Sequence, residues 1–182
     1  THNKELTSLN MSFNEDSRVK IPALLHLNRL GYTYISRKEH HLRQEETNIF
    51  KGIFIKSIGR INPSATEAEL ERHLEEITLK LDYDDLGKEF YKALTATSGI
   101  KLLDFKNFSN NSFHVTTELT CKNGDEEFRP DITVLINGMP LVFTEVKRPN
   151  NRDGVLAERQ RINKRYQNRK FKRFANITQL ML

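Results

Sequence analysis

The fold is decided by one stretch, Pro-Asp-Ile-Thr-Val-Leu-Ile-Asn-Gly-Met-Pro-Leu-Val-Phe-Thr-Glu-Val-Lys, which spans residues 130–147. Two apolar runs flank Asn137-Gly138, a dipeptide that is typical of the tight turn between paired strands. The pattern predicts an antiparallel hairpin with one strand over residues 128–136 and the returning strand over residues 141–147.

Charged side chains stand where this hairpin should be apolar. Asp131 lies in the first strand, and Glu145 and Lys147 continue the face that Leu141 and Phe143 begin. Burial of such charges is costly unless they pair with each other or bind a metal ion. Two interpretations stay open: a nuclease site in which two carboxylates from adjacent strands hold Mg²⁺, and an ordinary Glu–Lys pair at a strand end.

A shared metal site constrains the register of the hairpin. In an antiparallel pair, directly opposed residues share a face, and a regular two-residue turn would set Asp131 and Glu145 on opposite faces. We therefore predict a three-residue loop over residues 136–138, with Gly138 in the left-handed region. A one-residue bulge elsewhere in the hairpin, for instance at Pro140, would serve equally well.

The rest of the chain divides into a mainly helical part and a mainly extended part. Residues 1–12 lack periodicity and are expected to form a loose tail, and a single domain is expected over residues 13–182. Thr66 and Glu69 match a capping box. Hydrophobic spacing predicts helices over residues 17–30, 49–58, 66–81, 86–94 and 154–168, and strands over residues 32–35 and 113–119.

Composition excludes several classes of protein. Hydrophobic residues make up 37% of the 182 residues, which is enough for a core, and no run is long and apolar enough for a membrane helix. The single cysteine, Cys121, cannot form an internal disulfide. We expect a cytoplasmic protein without a membrane span.

Positive charge is concentrated near the end of the sequence. Residues 147–173 carry eleven basic and two acidic side chains, a net charge of +9, which leaves −4 for the rest of a chain whose net charge is +5. Such a segment suits contact with the DNA backbone, with Arg161, Lys164 and Arg165 as candidates, although a solvated basic surface gives the same pattern.

The string from Arg129 to Asn150 resembles the N-terminal endonuclease domain of the R (motor) subunit of type I restriction enzymes. Pro130-Asp131 followed by Glu145-Val146-Lys147 is similar to the PD-(D/E)XK nuclease signature, and residues 111–117 and 176–180 carry further similar stretches. The resemblance implies an α/β, restriction-endonuclease-like fold: a mixed central sheet flanked by helices, with residues 38–100 as an additional helical region.

The resemblance also implies an activity, the Mg²⁺-dependent hydrolysis of double-stranded DNA. It assigns Asp131 and Glu145 as metal ligands and Lys147 as a further catalytic residue. The family's acid on the first helix corresponds to Glu15, with Asp16 as the alternative. The family's Gln-x-x-x-Tyr motif corresponds to Gln160 and Tyr166, but here Lys164 occupies the fourth position after Gln160 and Tyr166 the sixth.

Partners follow from the same resemblance. It implies methyltransferase and specificity subunits, and helicase-like translocase domains later in a longer motor protein of which this chain is expected to be a fragment. The 182 residues contain no Walker A motif, so we expect ATP to act only in the parent protein. Two alternatives remain: a non-catalytic DNA-docking module, and a subunit-interaction module that uses residues 49–58 and 66–81 as its contact.

Overall fold

A computed structural model describes residues 19–123, 125–146 and 152–182, with secondary structure alone for residues 123, 152–155, 158, 165 and 166. The predictions for the tail over residues 1–12, for Glu15 and Asp16, and for Lys147 lie outside the described residues.

The core of the described chain is a mixed five-stranded sheet with the order β1-β2-β5-β6-β7. The two outer pairs, β1–β2 and β6–β7, are parallel, and the inner pairs are antiparallel. A separate two-stranded sheet is formed by β3 and β4. The strands are β1 (Thr33–Tyr34), β2 (Phe113–Thr117), β3 (Cys121–Asn123), β4 (Glu126–Phe128), β5 (Ile132–Ile136), β6 (Met139–Thr144) and β7 (Leu180–Met181).

The helices follow the predicted pattern, since all five predicted helices are present with shifted ends. The α3 helix begins after Thr66, whose hydroxyl accepts from the main-chain nitrogen of Glu69 while the Glu69 carboxylate reaches back to Thr66. The helices are α1 (Ile21–Arg29), α2 (Lys51–Ile61), α3 (Glu67–Lys80), α4 (Lys88–Leu94), α5 (Arg152–Gln167) and α6 (Lys172–Ile177).

Helices pack on both faces of the sheet, which confirms the predicted fold class. Val115 and Ile132 share one face, and the partly buried side chains Ala23, Leu24 and Leu27 of α1 pack against them. Phe143 lies on the other face, where its ring meets that of Phe174 in α6 at a centroid distance of 5.1 Å. The result is the helix-flanked mixed sheet of a restriction-endonuclease-like fold.

The apolar residues of the helical region are part of the core. Phe54 and Ile58 of α2 and Leu74 and Ile77 of α3 are at most 2% exposed. The apolar stripes that the subunit-interaction alternative offers as its contact are thus already used inside the domain, since they pack against each other and against Met139 of the sheet. None of the helices in the described ranges combines the length and apolar character that a bilayer crossing requires.

The prediction of one continuous strand over residues 128–136 is wrong, since this range holds the end of β4 and all of β5. β4 ends at Phe128 in the small sheet, and β5 begins at Ile132 in the large one. Pro130 lies in the break, and its lack of an N–H explains why a continuous ladder does not form.

The turn of the β5–β6 hairpin has two residues, so the predicted three-residue loop is wrong. Asn137 and Gly138 have φ angles of 51° and 79°, and Ile136 pairs directly with Met139. This left-handed pair is the geometry that Asn-Gly favours.

The alternative prediction, a bulge next to Pro140, is confirmed. Leu135 pairs with Pro140 and Val134 with Val142, which leaves Leu141 as the extra residue of β6. The bulge moves the pairing by one residue. Beyond it, each residue of β6 lies on the opposite face of the sheet from the one it would take in an unbroken two-residue hairpin.

Candidate active site

The bulge determines how the two acidic residues of the hairpin are placed. Beyond it, Thr133 pairs with Phe143 and Ile132 with Thr144. Carried one residue further, this register sets Asp131 opposite Glu145 at the open end of the hairpin, on one face of the sheet. The register thus places the two residues that the sequence nominated as metal ligands at the same end of the hairpin.

Main-chain contacts fix the Asp131 side chain at this end of the sheet. Its Oδ2 accepts a hydrogen bond from the main-chain nitrogen of Val146 at 2.7 Å. Its carbonyl accepts from the nitrogen of Glu118 at 3.2 Å, so the β2–β5 ladder continues one residue past its last strand pair. Asp131 is therefore anchored to the strands on both sides of it.

A third acidic residue, Glu118, lies in the same row across the sheet. The β2–β5 register places it beside Asp131, so acidic residues of three neighbouring chain segments stand at one level. Glu118 has a φ of 51°, a left-handed conformation that costs an L-residue about 1 kcal/mol or more. Sequence patterns do not single out Glu118, because an acid at the end of a predicted strand carries no signal of its own.

Two basic residues balance this row. The ammonium of Lys20 lies 3.1 Å from Oε1 of Glu118 and 3.3 Å from Oδ1 of Asp131. Arg37 contacts the other oxygen of Glu118 at 3.1 Å from the solvent side. Sequence patterns do not single out Lys20 either, since its partners lie 98 and 111 residues further along the chain and leave no trace in local spacing.

The carboxylates at this end of the sheet fit a magnesium ion by their chemistry. Mg²⁺ takes oxygen ligands and is commonly bound by one or two carboxylates together with water and substrate phosphate. The side chains of Asp131 and Glu118 are 25% and 32% exposed, so solvent reaches them. Within the described part of the chain, no three side chains of His, Cys, Asp or Glu converge as a complete metal cage.

The predicted DNA-binding residues lie on α5, as far as they are described. Gln160, Arg161 and Lys164 are exposed, while Ile162 between them is buried and anchors the helix. The predictions for Arg165 and Tyr166 concern side chains outside the described set.

The end of the basic segment is bound to acidic residues of the same domain. The guanidinium of Arg173 makes a two-pronged contact with Asp82 at 2.6 and 2.7 Å and also contacts Glu46. These contacts raise the pKa of Arg173, and the Arg173 hydrogen bond lowers the pKa of Asp82.

Two neighbours of Arg173 are paired as well. Lys170 contacts Glu126 at 2.8 Å, and Arg169 contacts Asp84 at 3.5 Å. Part of the charge that the sequence analysis assigned to DNA is therefore neutralised within the domain.

Comparison with known proteins gives consistent matches. Residues 12–182 match the family described as the N terminus of type I restriction enzyme R protein. The chain is 33% identical over 162 residues to the type I restriction enzyme MjaIXP endonuclease subunit of Methanocaldococcus jannaschii, covering 76% of this chain and 16% of that protein. The MjaVIIIP endonuclease subunit of the same organism is 34% identical over 101 residues, covering 54% and 9%. The chain thus spans about a sixth of the longer-matching relative.

Proposed function

Because this chain belongs to the family of type I restriction enzyme R protein N termini, we propose that it is the Mg²⁺-dependent nuclease domain of such a subunit, acting on double-stranded DNA. The observation that supports the proposal is the bulged hairpin, whose register, continued one residue past the Ile132–Thr144 pair, sets Asp131 opposite Glu145 at an accessible end of the sheet. Neighbouring carboxylates repel each other and do not hold two strands together by themselves, and a bound cation would offset that repulsion.

The chain's own residues prepare this end of the sheet for a phosphate. Asp131 and Glu145 would hold the metal ion, which when bound lowers the pKa of a water molecule and offsets charge on the phosphate. The Val146 nitrogen keeps the Asp131 carboxylate in one orientation, and such pre-organisation removes a cost at the moment of reaction. Lys147, two residues after Glu145, is proposed to contact the phosphate or the attacking water.

The α5 helix supplies the proposed contact to the DNA backbone. Gln160, Arg161 and Lys164 present polar and positive groups to solvent, and phosphate contacts of this kind position DNA without reading its sequence. Sequence recognition in the proposed assembly belongs to a specificity subunit, modification to a methyltransferase subunit, and ATP-driven translocation to later domains of the same R subunit.

Cleavage by the assembled restriction complex tests the proposal. Asp131→Ala, Glu145→Ala and Lys147→Ala should each abolish double-strand cleavage of a plasmid that carries the recognition site. The same variants should keep ATP hydrolysis and translocation, because the proposed nuclease site is separate from the motor. Cleavage by the Asp131→Ala complex at the wild-type rate would contradict the proposal.

A non-catalytic DNA-docking module is the second candidate, and the Lys20–Asp131 ion pair favours it. In that case the acid row is a structural ion-pair cluster, and DNA binding is independent of divalent ions. The cleavage assay separates the two candidates, since docking alone would leave all three variants with unchanged cleavage.

A further inference from the structure

Lys20 is a buried cation at the candidate active site. Only 9% of the residue is exposed, and it immediately precedes α1. Ala23, Leu24 and Leu27 of α1 pack against the sheet, and this packing brings the first turn of the helix over the end of the sheet where Asp131 stands. The packing of these three side chains thus places Lys20 close to Asp131.

The Lys20 ammonium contacts the Asp131 carboxylate, which a bound metal ion would also contact. It contacts Oδ1 of Asp131 at 3.3 Å, while Oδ2 of the same carboxylate is held by the Val146 nitrogen. A divalent cation bound by Asp131 would have to share this carboxylate with the ammonium. A metal ion and an ammonium that contact the same carboxylate repel each other, and the repulsion is strong where water is partly excluded.

Glu118 provides a second anchor for the ammonium. Its Oε1 lies 3.1 Å from the Lys20 nitrogen, slightly closer than Asp131, and its backbone adopts the left-handed conformation noted above. Backbone strain of this kind persists only where surrounding contacts enforce it. When Asp131 binds a metal ion instead of Lys20, the ammonium can therefore keep its contact with the Glu118 carboxylate.

We propose that Lys20 is a positioning residue that holds the Asp131 carboxylate when no metal ion is bound and competes with the ion for it, while Glu118 retains the ammonium when the ion binds. This inference rests on the proposed function, since it takes Asp131 as a metal ligand. It assigns roles to two residues outside the motif and makes metal loading depend on them.

Removal of Lys20 and removal of the Glu118 charge should change the affinity for divalent ions in opposite directions. Lys20→Met removes the competing cation and should tighten divalent-ion binding by roughly tenfold. Glu118→Gln keeps the shape but removes the charge that holds the ammonium at 3.1 Å, so Lys20 should interact more strongly with Asp131 and compete more strongly with the ion. Binding should then weaken by roughly threefold. A purely structural ion pair would give weaker binding in both variants, because both would disorder Asp131.

The experiment is a titration of the full-length protein with Mn²⁺, with free Mn²⁺ measured by electron paramagnetic resonance. The Asp131→Ala protein gives the background from other metal sites, and only the Asp131-dependent binding is compared. Lys51→Met is the matched control, since Lys51 pairs with Glu71 at the surface of α2 and its loss changes the net charge equally. Circular dichroism checks that each variant is folded, and Lys20→Gln replaces Lys20→Met if the latter is not.

Tighter binding without Lys20, weaker binding in Glu118→Gln and no change in Lys51→Met support the inference. Asp131-dependent binding that is unchanged or weaker without Lys20 overturns it and leaves the proposed function standing. Absence of any Asp131-dependent binding in the wild-type protein overturns both the inference and the proposed metal site.

Discussion

Oδ2 of Asp131 accepts a 2.7 Å hydrogen bond from the main-chain nitrogen of Val146, the residue after Glu145. This contact joins the start of β5 to the end of β6 just beyond their last strand pair, Ile132 with Thr144. The contact holds the Asp131 carboxylate at the open end of the hairpin, where the continued register places Glu145 opposite Asp131. The relationship depends on the bulge at Leu141, because if Leu141 were paired within the ladder, Asp131 would lie opposite Thr144 instead.

Deletion of Leu141 should leave Asp131 opposite Glu145 and preserve cleavage in a protein that still folds. The deletion removes the extra residue and restores a regular ladder from the Asn137-Gly138 turn, in which Leu135 still pairs with Pro140, Val134 with Val142 and Ile132 with Thr144. Leu141→Ala is the matched control: it keeps the bulge and the cleavage while losing about 2–4 kcal/mol of unfolding free energy from a buried site. Plasmid cleavage and chemical denaturation are the two measurements, and a folded deletion variant that has lost cleavage would contradict this pairing.

Gly138→Ala should destabilise the domain more than Gly31→Ala. Both glycines have a left-handed backbone, with φ of 79° and 97°, so alanine costs about 1 kcal/mol at either position. A Cβ on Gly138 would lie 2.8 Å from the main chain at Phe50 and Phe54, whereas one on Gly31 meets nothing within 4 Å. We expect a further loss of about 1–3 kcal/mol at Gly138 alone, measured by urea denaturation. Equal losses would mean that α2 does not pack on the turn.

The sequence predicted those parts of the fold that local chemistry controls. The capping box at Thr66, the Asn137-Gly138 turn and the apolar stripe of α3 each use residues within a few positions of one another. The motif residues Asp131 and Glu145 were identified in the same way, from alternation in one hairpin and from family resemblance.

Non-local features could not be predicted from the same patterns. Lys20 and Glu118 meet across 98 residues, and strand pairing rather than spacing brings Glu118 beside Asp131. The position of the bulge depends on Pro140 having no N–H to give to the ladder, which the sequence allowed but did not require. The apolar stripes of α2 and α3 indicated burial without showing whether the partner was this domain or another subunit.

The exposed part of the basic segment should carry the salt dependence of DNA binding. Neutralising Arg161 and Lys164 together to Gln should reduce the slope of log affinity against log salt by up to about two units, at roughly 0.9 per phosphate contact. The control is Lys51 and Lys56, two exposed lysines of α2, changed to Gln together. Fluorescence anisotropy with a DNA duplex at several salt concentrations measures the slope. An unchanged slope would mean that α5 does not face the DNA.

The Asp82–Arg173 pair should contribute a stability that disappears in acid. Arg173 lowers the pKa of Asp82 in the folded state, so the contribution is complete above the ordinary aspartate pKa of about 3.9 and is lost as pH falls through the lower folded-state pKa. Asp82→Asn should cost about 0.5–1 kcal/mol at pH 7, after discounting for partial exposure, and little near pH 2. Thermal unfolding across this range measures it.

Asp84→Asn is the control for that prediction. Asp84 and Arg169 are largely exposed and 3.5 Å apart, and such surface pairs contribute little. A cost at Asp84 equal to that at Asp82 would contradict the assignment of the pH effect to the Arg173 contact.

The central claim, that Asp131 and Glu145 form a metal site, is tested most directly by anomalous diffraction from crystals of the domain soaked in Mn²⁺. The account predicts an anomalous peak within roughly 2.5 Å of a carboxylate oxygen of both Asp131 and Glu145, and its loss in Asp131→Ala crystals. A crystal soaked to saturation in Mn²⁺ that shows no anomalous peak between these two carboxylates, and in which the Lys20 ammonium still contacts Asp131, would contradict the claim.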